Sequence, residues 1–225
     1  MNFLKNIKSN KKLVWAIDIS LNIAIVLGTV FLIKTFLVAP FDIYGPSMCN
    51  NLNFLDGECE KEYGEKLFLN KALYYIADPA RGDIVVFTPR FSDEKYYIKR
   101  VIGLPGETVE ILNGEVYVTN HENLGGIKLE EPYLSDANKG QTRSFTNSPS
   151  VFKVPEGEYF MLGDNRRAST DSRSCFHNPF EGGCKDKTNN AFVPKSNMEG
   201  KSWLVFWPIG SIRTLDDPEY EELEN

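Results

Sequence analysis

The chain has 225 residues, of which 42% are hydrophobic and 12% aromatic, with a formal charge of −6. That length suits one folded domain of roughly 180 residues plus a short additional segment, and the aromatic share argues against disorder. The acidic balance gives no support for nucleic-acid binding, which usually needs a basic face.

The N-terminus reads as an anchor. Residues 1–12 carry Lys5, Lys8, Lys11 and Lys12 and no acid, and residues 13–39 are apolar apart from Asp18 and Lys34. The uninterrupted apolar core, about residues 19–33, is short for a span, which needs about 20 residues. Residues 13–17 and 35–38 lengthen it, with Lys34 snorkelling toward the interface. This predicts a cytoplasmic basic tail over 1–12 and a single transmembrane helix over 13–39. A cleaved secretory signal or a buried helix would share the pattern. Against cleavage, no small-x-small site with a clear polar run follows. Basic flanks stay in the cytoplasm, so the chain from about residue 40 is expected outside. Setting aside the four lysines, and cancelling Asp18 against Lys34, leaves about −10 on that outer part, in keeping with the same rule.

Beyond the anchor the pattern is β. Residues 83–88 form a short strand after a turn at 79–82. Residues 96–102 form a second, ended by Gly103-Leu104-Pro105-Gly106. Residues 108–112 and 115–118 flank Asn113-Gly114, a strong hairpin signal because type I′ turns need positive φ at both central positions. Residues 158–162 and 202–207 are further strands. Residues 119–150 and 174–191 read as loop insertions in a domain spanning 40–215. Residues 216–225 form an acidic tail (Asp216, Asp217, Glu219, Glu221, Glu222, Glu224) that is prone to fray.

Four cysteines allow three pairings. The local set, Cys49–Cys59 with Cys175–Cys184, closes two short loops and suits an oxidising compartment. Reduced thiols remain open. So does zinc held by Cys175, His177 and Cys184, although that set lacks a fourth ligand at a usual spacing.

Ser47 lies in Phe41-Asp42-Ile43-Tyr44-Gly45-Pro46-Ser47-Met48, just after the apolar segment. A serine hydroxyl is a weak nucleophile until a base takes its proton. The chain's two histidines, His121 and His177, sit in polar loops with no signature linking them to Ser47. A lysine can replace histidine if it is neutral, and apolar surroundings favour the neutral form. Lys99, inside Tyr96-Tyr97-Ile98-Lys99-Arg100-Val101-Ile102, has Tyr97 and Val101 as same-face neighbours in an alternating strand. The polar segment Gly163-Asp164-Asn165-Arg166-Arg167-Ala168-Ser169-Thr170-Asp171-Ser172-Arg173 follows a strand. Composition alone favours an exposed turn there. A bracing role is the alternative, with Ser169 orienting Lys99 and Asp171 pairing Arg173 or Arg100.

Together these segments resemble the bacterial type I signal peptidase (leader peptidase) family. The resemblance runs through the serine segment, Arg81-Gly82-Asp83-Ile84-Val85-Val86-Phe87, and the lysine segment continued to Glu107. It goes on through Asn113-Gly114, Glu131-Pro132-Tyr133-Leu134 and residues 155–165. It implies mainly antiparallel β-sheets of the signal-peptidase/LexA-like type behind one transmembrane helix. It implies Ser47 as nucleophile, Lys99 as general base, and an acyl-enzyme. Ser169 would support the lysine, Asp171, Arg173 and Arg100 would form structural ion pairs, and Ile43, Met48, Leu52, Tyr97 and Ile98 would line substrate pockets for small side chains. The implied substrates are signal peptides of exported preproteins, cut after Ala-x-Ala-like sites. The implied setting is the bacterial cytoplasmic membrane, with contact to lipid, no cofactor or metal, and a monomeric chain. Three departures stand out. Cys49-Asn50-Asn51-Leu52 keeps only the leucine of the family's usual stretch. Gly45 stands where some members place a serine donor, so the oxyanion falls to the Ser47 backbone N–H with its second donor open. Arg167-Ala168 replaces a more usual Asp-Asn pair. Rival readings are a serine–lysine protease maturing a pilus or conjugation component, and a non-catalytic membrane-tethered signal-peptide binder.

Overall fold

A computed structural model describes residues 11–91, 95–145, 148–178, 183–184 and 188–220. Lys5 and Lys8 of the basic tail, Glu221, Glu222 and Glu224 of the acidic tail, and parts of the 174–191 segment lie outside the described residues. The chain divides into two units, residues 1–39 and 40–225.

In the first unit, helix α1 (Lys11–Leu32) runs on as a π-helical turn over Ile33–Leu37. The combined helix, Lys11–Leu37, is long and apolar enough to cross a membrane. None of its residues is buried, and Trp15, Ile23, Leu27 and Phe31 all stand exposed. A helix that is apolar all round suits either a protein core or lipid around it.

The second unit is mainly antiparallel β. The larger sheet runs β1 (Val38–Tyr44), β4 (Tyr63–Asn70), β13 (Met198–Trp207), β5 (Ile84–Phe87), β6 (Tyr97–Gly103), β11 (Glu158–Leu162) and β12 (Phe192–Pro194), with β14 (Arg213–Thr214) also pairing β13. A second sheet runs β10 (Val151–Lys153), β7 (Thr108–Leu112), β8 (Glu115–Thr119) and β9 (Ile127–Lys128). A third holds only β2 (Phe54–Leu55) and β3 (Glu58–Cys59). A four-residue helix, α2 (Leu73–Ile76), links β4 to the β5 turn.

Side-chain pattern explains the layering. In β7 and β8 the burial alternates, with Val109, Ile111, Val116 and Val118 turned inward, as a sheet solvated on one face requires. These residues meet Ile102, Phe160 and Leu162 in one core cluster. β6 differs: from Ile98 to Gly103 every residue is buried, Lys99 and Arg100 included. A strand covered on both faces reads as a continuous apolar run, which is why its two cations stand out.

Boundaries shifted where burial continues past the alternating run. β13 begins at Met198, because Lys201 and Gly200 still pair with β5. Residues 119–150 are irregular for the most part, yet they include β9 and bury Leu129, Leu134 and Glu131. The polarity of that stretch conceals these anchors. Two disulfides join Cys49 to Cys59 and Cys175 to Cys184, so neither Cys175 nor Cys184 offers a thiolate to zinc.

The β7–β8 hairpin turns at Asn113 and Gly114, both with positive φ, and Leu112 pairs with Glu115. A Cβ on Gly114 would also fall 2.1 Å from the Gly140 carbonyl oxygen. Gly114→Ala is therefore expected to destabilise the domain by about 2 kcal/mol. Thermal unfolding should show this as a Tm lowered by about 4–8 °C.

Candidate active site

The Ser47 turn is made by local chemistry. Gly45, at φ +81°, lets the chain turn sharply out of β1, and its N–H donates to Glu62 O at 3.0 Å. Helix-like bonds follow, from Cys49 N to Pro46 O and from Leu52 N to Met48 O. Met48 and Leu52 are fully buried and pack with Ile43, Leu67, Leu69, Ile84 and Ile98. These side chains plug the turn into the core and leave Ser47 half-buried at its surface. The Ser47 N–H has no acceptor among the described residues.

Lys99 meets this turn from β6. Its strand is flanked by β5 and β11, with Val85 directly opposite Lys99. Lys99 is 2% exposed. Its Nζ donates to Ser47 Oγ at 2.7 Å and to Ile98 O at 2.7 Å, and lies 5.5 Å from the Tyr97 ring centroid. Burial pushes the Lys99 ammonium down to about 8, against smaller opposing effects of Asp171 and Asp164.

The Gly163–Arg173 loop braces both partners. Arg100 forms a two-point pair with Asp164, Nε to Oδ1 at 2.9 Å and Nη2 to Oδ2 at 2.6 Å. Arg173 forms the same kind of pair with Asp171, at 2.9 and 2.8 Å. Thus Asp171 takes Arg173, and Arg100 takes Asp164. Burial pushes the Asp171 carboxyl up, but the charge and hydrogen bonds of Arg173, with the Gly163 N–H, outweigh it and hold the carboxyl below its usual value. Ser169 is buried, bonds no Lys99 atom among the described residues, and its hydroxyl adds to Arg173 and the Gly163 N–H in holding the Asp171 carboxyl low. The contact to Lys99 that sequence suggested is therefore not made here. That hydroxyl instead packs against Gly163, where an added Cβ would lie 2.2 Å from it and 2.5 Å from Ser47 O.

Of the residues expected to line substrate pockets, Ile43, Met48, Leu52 and Ile98 form one cluster. Tyr97 projects to the other side of β6, against Val85, Phe87 and Phe176, as strand alternation demands.

Several positioning groups carry little signal in sequence. The Asn165 N–H donates to Ser47 O at 3.1 Å, and its side chain to Pro46 O at 3.0 Å. Asn51 Nδ2 donates to Asp164 Oδ2 at 2.7 Å. Buried Asn53 gives its side-chain N–H groups to Gly45 O and Glu62 O, and its backbone N–H to Glu65. Glu65 in turn holds Arg213, whose Nη2 reaches Asn51 O at 2.7 Å. Asn165 stands within a polar motif and was visible as part of it. Arg213 acts across a long separation, and Asn53 and Glu65 join irregular segments, so no local pattern exposes them.

Comparisons with known proteins place the chain among peptidases. The family model described as signal peptidase, peptidase S26, matches residues 16–207. Signal peptidase I of Bacillus licheniformis is 36% identical over 199 residues, covering 86% of this chain and 89% of that protein. Signal peptidase I S of Bacillus subtilis (strain 168) is 34% identical over 215 residues, covering 93% and 97%. A crystal structure of a signal peptidase I from Enterococcus faecalis V583 is 35% identical with a TM-score of 0.40, covering 56% of this chain and 97% of that one.

The electrostatics of Lys99 set a pH-dependent stability. Its folded pKa is near 8 against an ordinary 10.5, so between those values the unfolded chain binds more protons. Stability therefore rises with pH across that window, and the full penalty is present below it. Relative to Lys99→Met, which lacks the group, the wild-type unfolding free energy should gain about 3 kcal/mol from pH 7.5 to 10.5. Denaturant unfolding at the two pH values measures this. An unchanging difference would show that burial does not penalise the ammonium.

Proposed function

We propose, for a chain that belongs to the signal peptidase family, peptidase S26, that Ser47 and Lys99 are the catalytic dyad with which this serine endopeptidase removes signal peptides from exported preproteins. The observation carrying this reading is the buried Lys99 Nζ, 2.7 Å from Ser47 Oγ. That distance suits proton transfer, and among the described residues neither histidine bonds Ser47, His177 meeting Cys175 O instead.

The cycle uses the dyad twice. Neutral Lys99 accepts the Ser47 proton as Oγ attacks the scissile carbonyl. The unpaired Ser47 N–H donates to the developing oxyanion. Gly45 cannot add its own N–H, because Glu62 O already accepts it. Lys99 then protonates the leaving amine, and an acyl-enzyme remains. A water gives its proton to Lys99 and hydrolyses the ester. Ser169 and the Asp171–Arg173 and Arg100–Asp164 pairs keep the lysine strand and the serine turn in register.

Substrate enters as an extended chain. β1 is an edge strand of the larger sheet and leads directly into the Ser47 turn, and an edge offers unpaired backbone groups to an added strand. Tyr97, partly exposed beside Lys99, offers apolar surface there, while Ile43, Met48, Leu52 and Ile98 form the buried wall beneath the Ser47 turn. In this reading that wall leaves only shallow space for substrate side chains, in keeping with cleavage after Ala-x-Ala-like sites.

The apolar helix over Lys11–Leu37 anchors the enzyme in the membrane. In this reading the 1–12 tail is cytoplasmic and the catalytic domain, 40–215, is extracytoplasmic, by the positive-inside rule. The anchor confines the site to the surface where signal peptides emerge.

Purified full-length enzyme and a preprotein with Ala-x-Ala before its cleavage site test this. Ser47→Ala and Lys99→Ala should each lower kcat at least about 10³-fold, and mass mapping should place the cut after the second alanine. Wild-type cleavage by either variant would end the dyad assignment. The pH dependence of kcat/KM should rise to an inflection near about 8, where Lys99 loses its proton.

A further inference from the structure

The Ser47 turn is held from several sides, and one hold is covalent. Asn165 fixes the carbonyls of Pro46 and Ser47. Arg213 and Asp164 fix Asn51 through its carbonyl and side chain. Between these anchors, the Cys49 N–H bonds within the turn, to Pro46 O. The bonded tie of Cys49 to the rest of the chain is its sulfur, joined to Cys59. Cys49 itself is fully buried, two positions after Ser47.

The segment on the far side of the bridge is weak by itself. β2 and β3 have two residues each and pair with no other strand. An isolated two-stranded hairpin is marginally stable at best. Its closing residues nevertheless touch the turn: Glu62 O accepts from Gly45 N, and Asn53 holds Gly45, Glu60 and Glu62. The hairpin therefore wraps the serine turn, and the bridge fastens it at the residue next to Met48.

We propose that the Cys49–Cys59 bridge is a positioning element of the active site: it holds Ser47 within reach of Lys99, and opening it lowers turnover with little effect on substrate binding. This rests on Ser47 as nucleophile. A misplacement of about 1 Å remote from the chemistry can reduce a rate about 100-fold. The chain thus reaches full activity only after oxidation of these two cysteines. Reduction is balanced by a dithiol such as dithiothreitol. Its two thiols pass two electrons and two protons to the bridge, the S–S bond breaks into two cysteine thiols, and the reagent closes to a cyclic disulfide.

The test compares full-length wild type with Cys49→Ala/Cys59→Ala in detergent, cleaving the same preprotein at a temperature where circular dichroism shows both folded. The expected result is kcat lowered about 10- to 100-fold with KM within about threefold of wild type. Unchanged kcat, with only a lowered Tm, would make the bridge a structural staple and overturn the proposal. If the variant does not fold, wild type is reduced with graded dithiothreitol and each bridge is mapped by alkylation and mass spectrometry. Activity should track opening of Cys49–Cys59 rather than Cys175–Cys184, and should return on reoxidation. Full activity with Cys49 and Cys59 alkylated overturns it. Ser47→Ala separates the two levels: cleavage by that variant refutes the dyad whatever the bridge does.

Discussion

A lysine ammonium kept out of water is the constraint on which this site depends. β6 is covered on both faces, so Lys99 has no solvent route along its strand. Desolvation alone would suffice to favour the neutral amine, but two buried carboxylates, Asp164 and Asp171, lie near enough to oppose it. Each carboxylate carries its own arginine, Asp164 with Arg100 and Asp171 with Arg173. Both pairs are fully buried. They also have an electrostatic consequence: a carboxylate satisfied by a two-point guanidinium contact is a poorer counter-ion for a neighbouring lysine. Removing either arginine would leave an uncompensated buried charge and would stabilise the protonated form of Lys99.

The serine side answers a different requirement. Nothing about Ser47 must be desolvated, since substrate has to reach it, but its Oγ must stay at hydrogen-bond distance from a nearly rigid partner. The structure meets this by tying down the backbone on each flank of the turn rather than the serine itself. Asn165, Asn53, Arg213 and the Cys49–Cys59 bridge each hold a different residue of 45–53. Three of the four make their contacts through side chains whose partners are main-chain carbonyls. Such contacts fix the main chain whatever side chain it carries, and Cys49 and Asn51 add side-chain ties of their own, to Cys59 and to Asp164.

What sequence could reveal follows from the range of the forces involved. The Asn113-Gly114 hairpin was legible because its turn type is dictated by two adjacent residues. β6 was legible because a lysine inside an apolar run is anomalous wherever it occurs. By contrast β4 was missed: its inward Leu67 and Leu69 alternate with Lys66 and Phe68, and its register is set by β13, far away in the chain. β1 was hidden differently, because its apolar start merges with the anchor. Within the site, the choice of Arg173 over Arg100 as partner of Asp171 depends on the element each arginine leaves: Arg173 sits in the 3-10 turn that Asp171 opens, Arg100 on β6. Arg100 points from β6 toward Gly82 and Asp164, and no spacing rule encodes that.

Gly163 shows how tightly the two halves are fitted. Its conformation is one that any residue can adopt, so the usual argument for a glycine, a left-handed turn, does not apply. The reason is distance. A Cβ there would lie 2.5 Å from the Ser47 carbonyl oxygen and within 2.2 Å of the Ser169 hydroxyl. Ser47 O is held by the Asn165 N–H, two residues on from Gly163, and Gly163 is itself held by its N–H to Asp171 Oδ2. The end of β11 and the serine turn are thus in backbone contact at this point. A side chain could enter only by displacing the Ser47 carbonyl and the Ser169 side chain. In this protein the glycine that opens the polar motif therefore sets the separation between the Ser47 backbone and the strand that abuts β6 and Lys99.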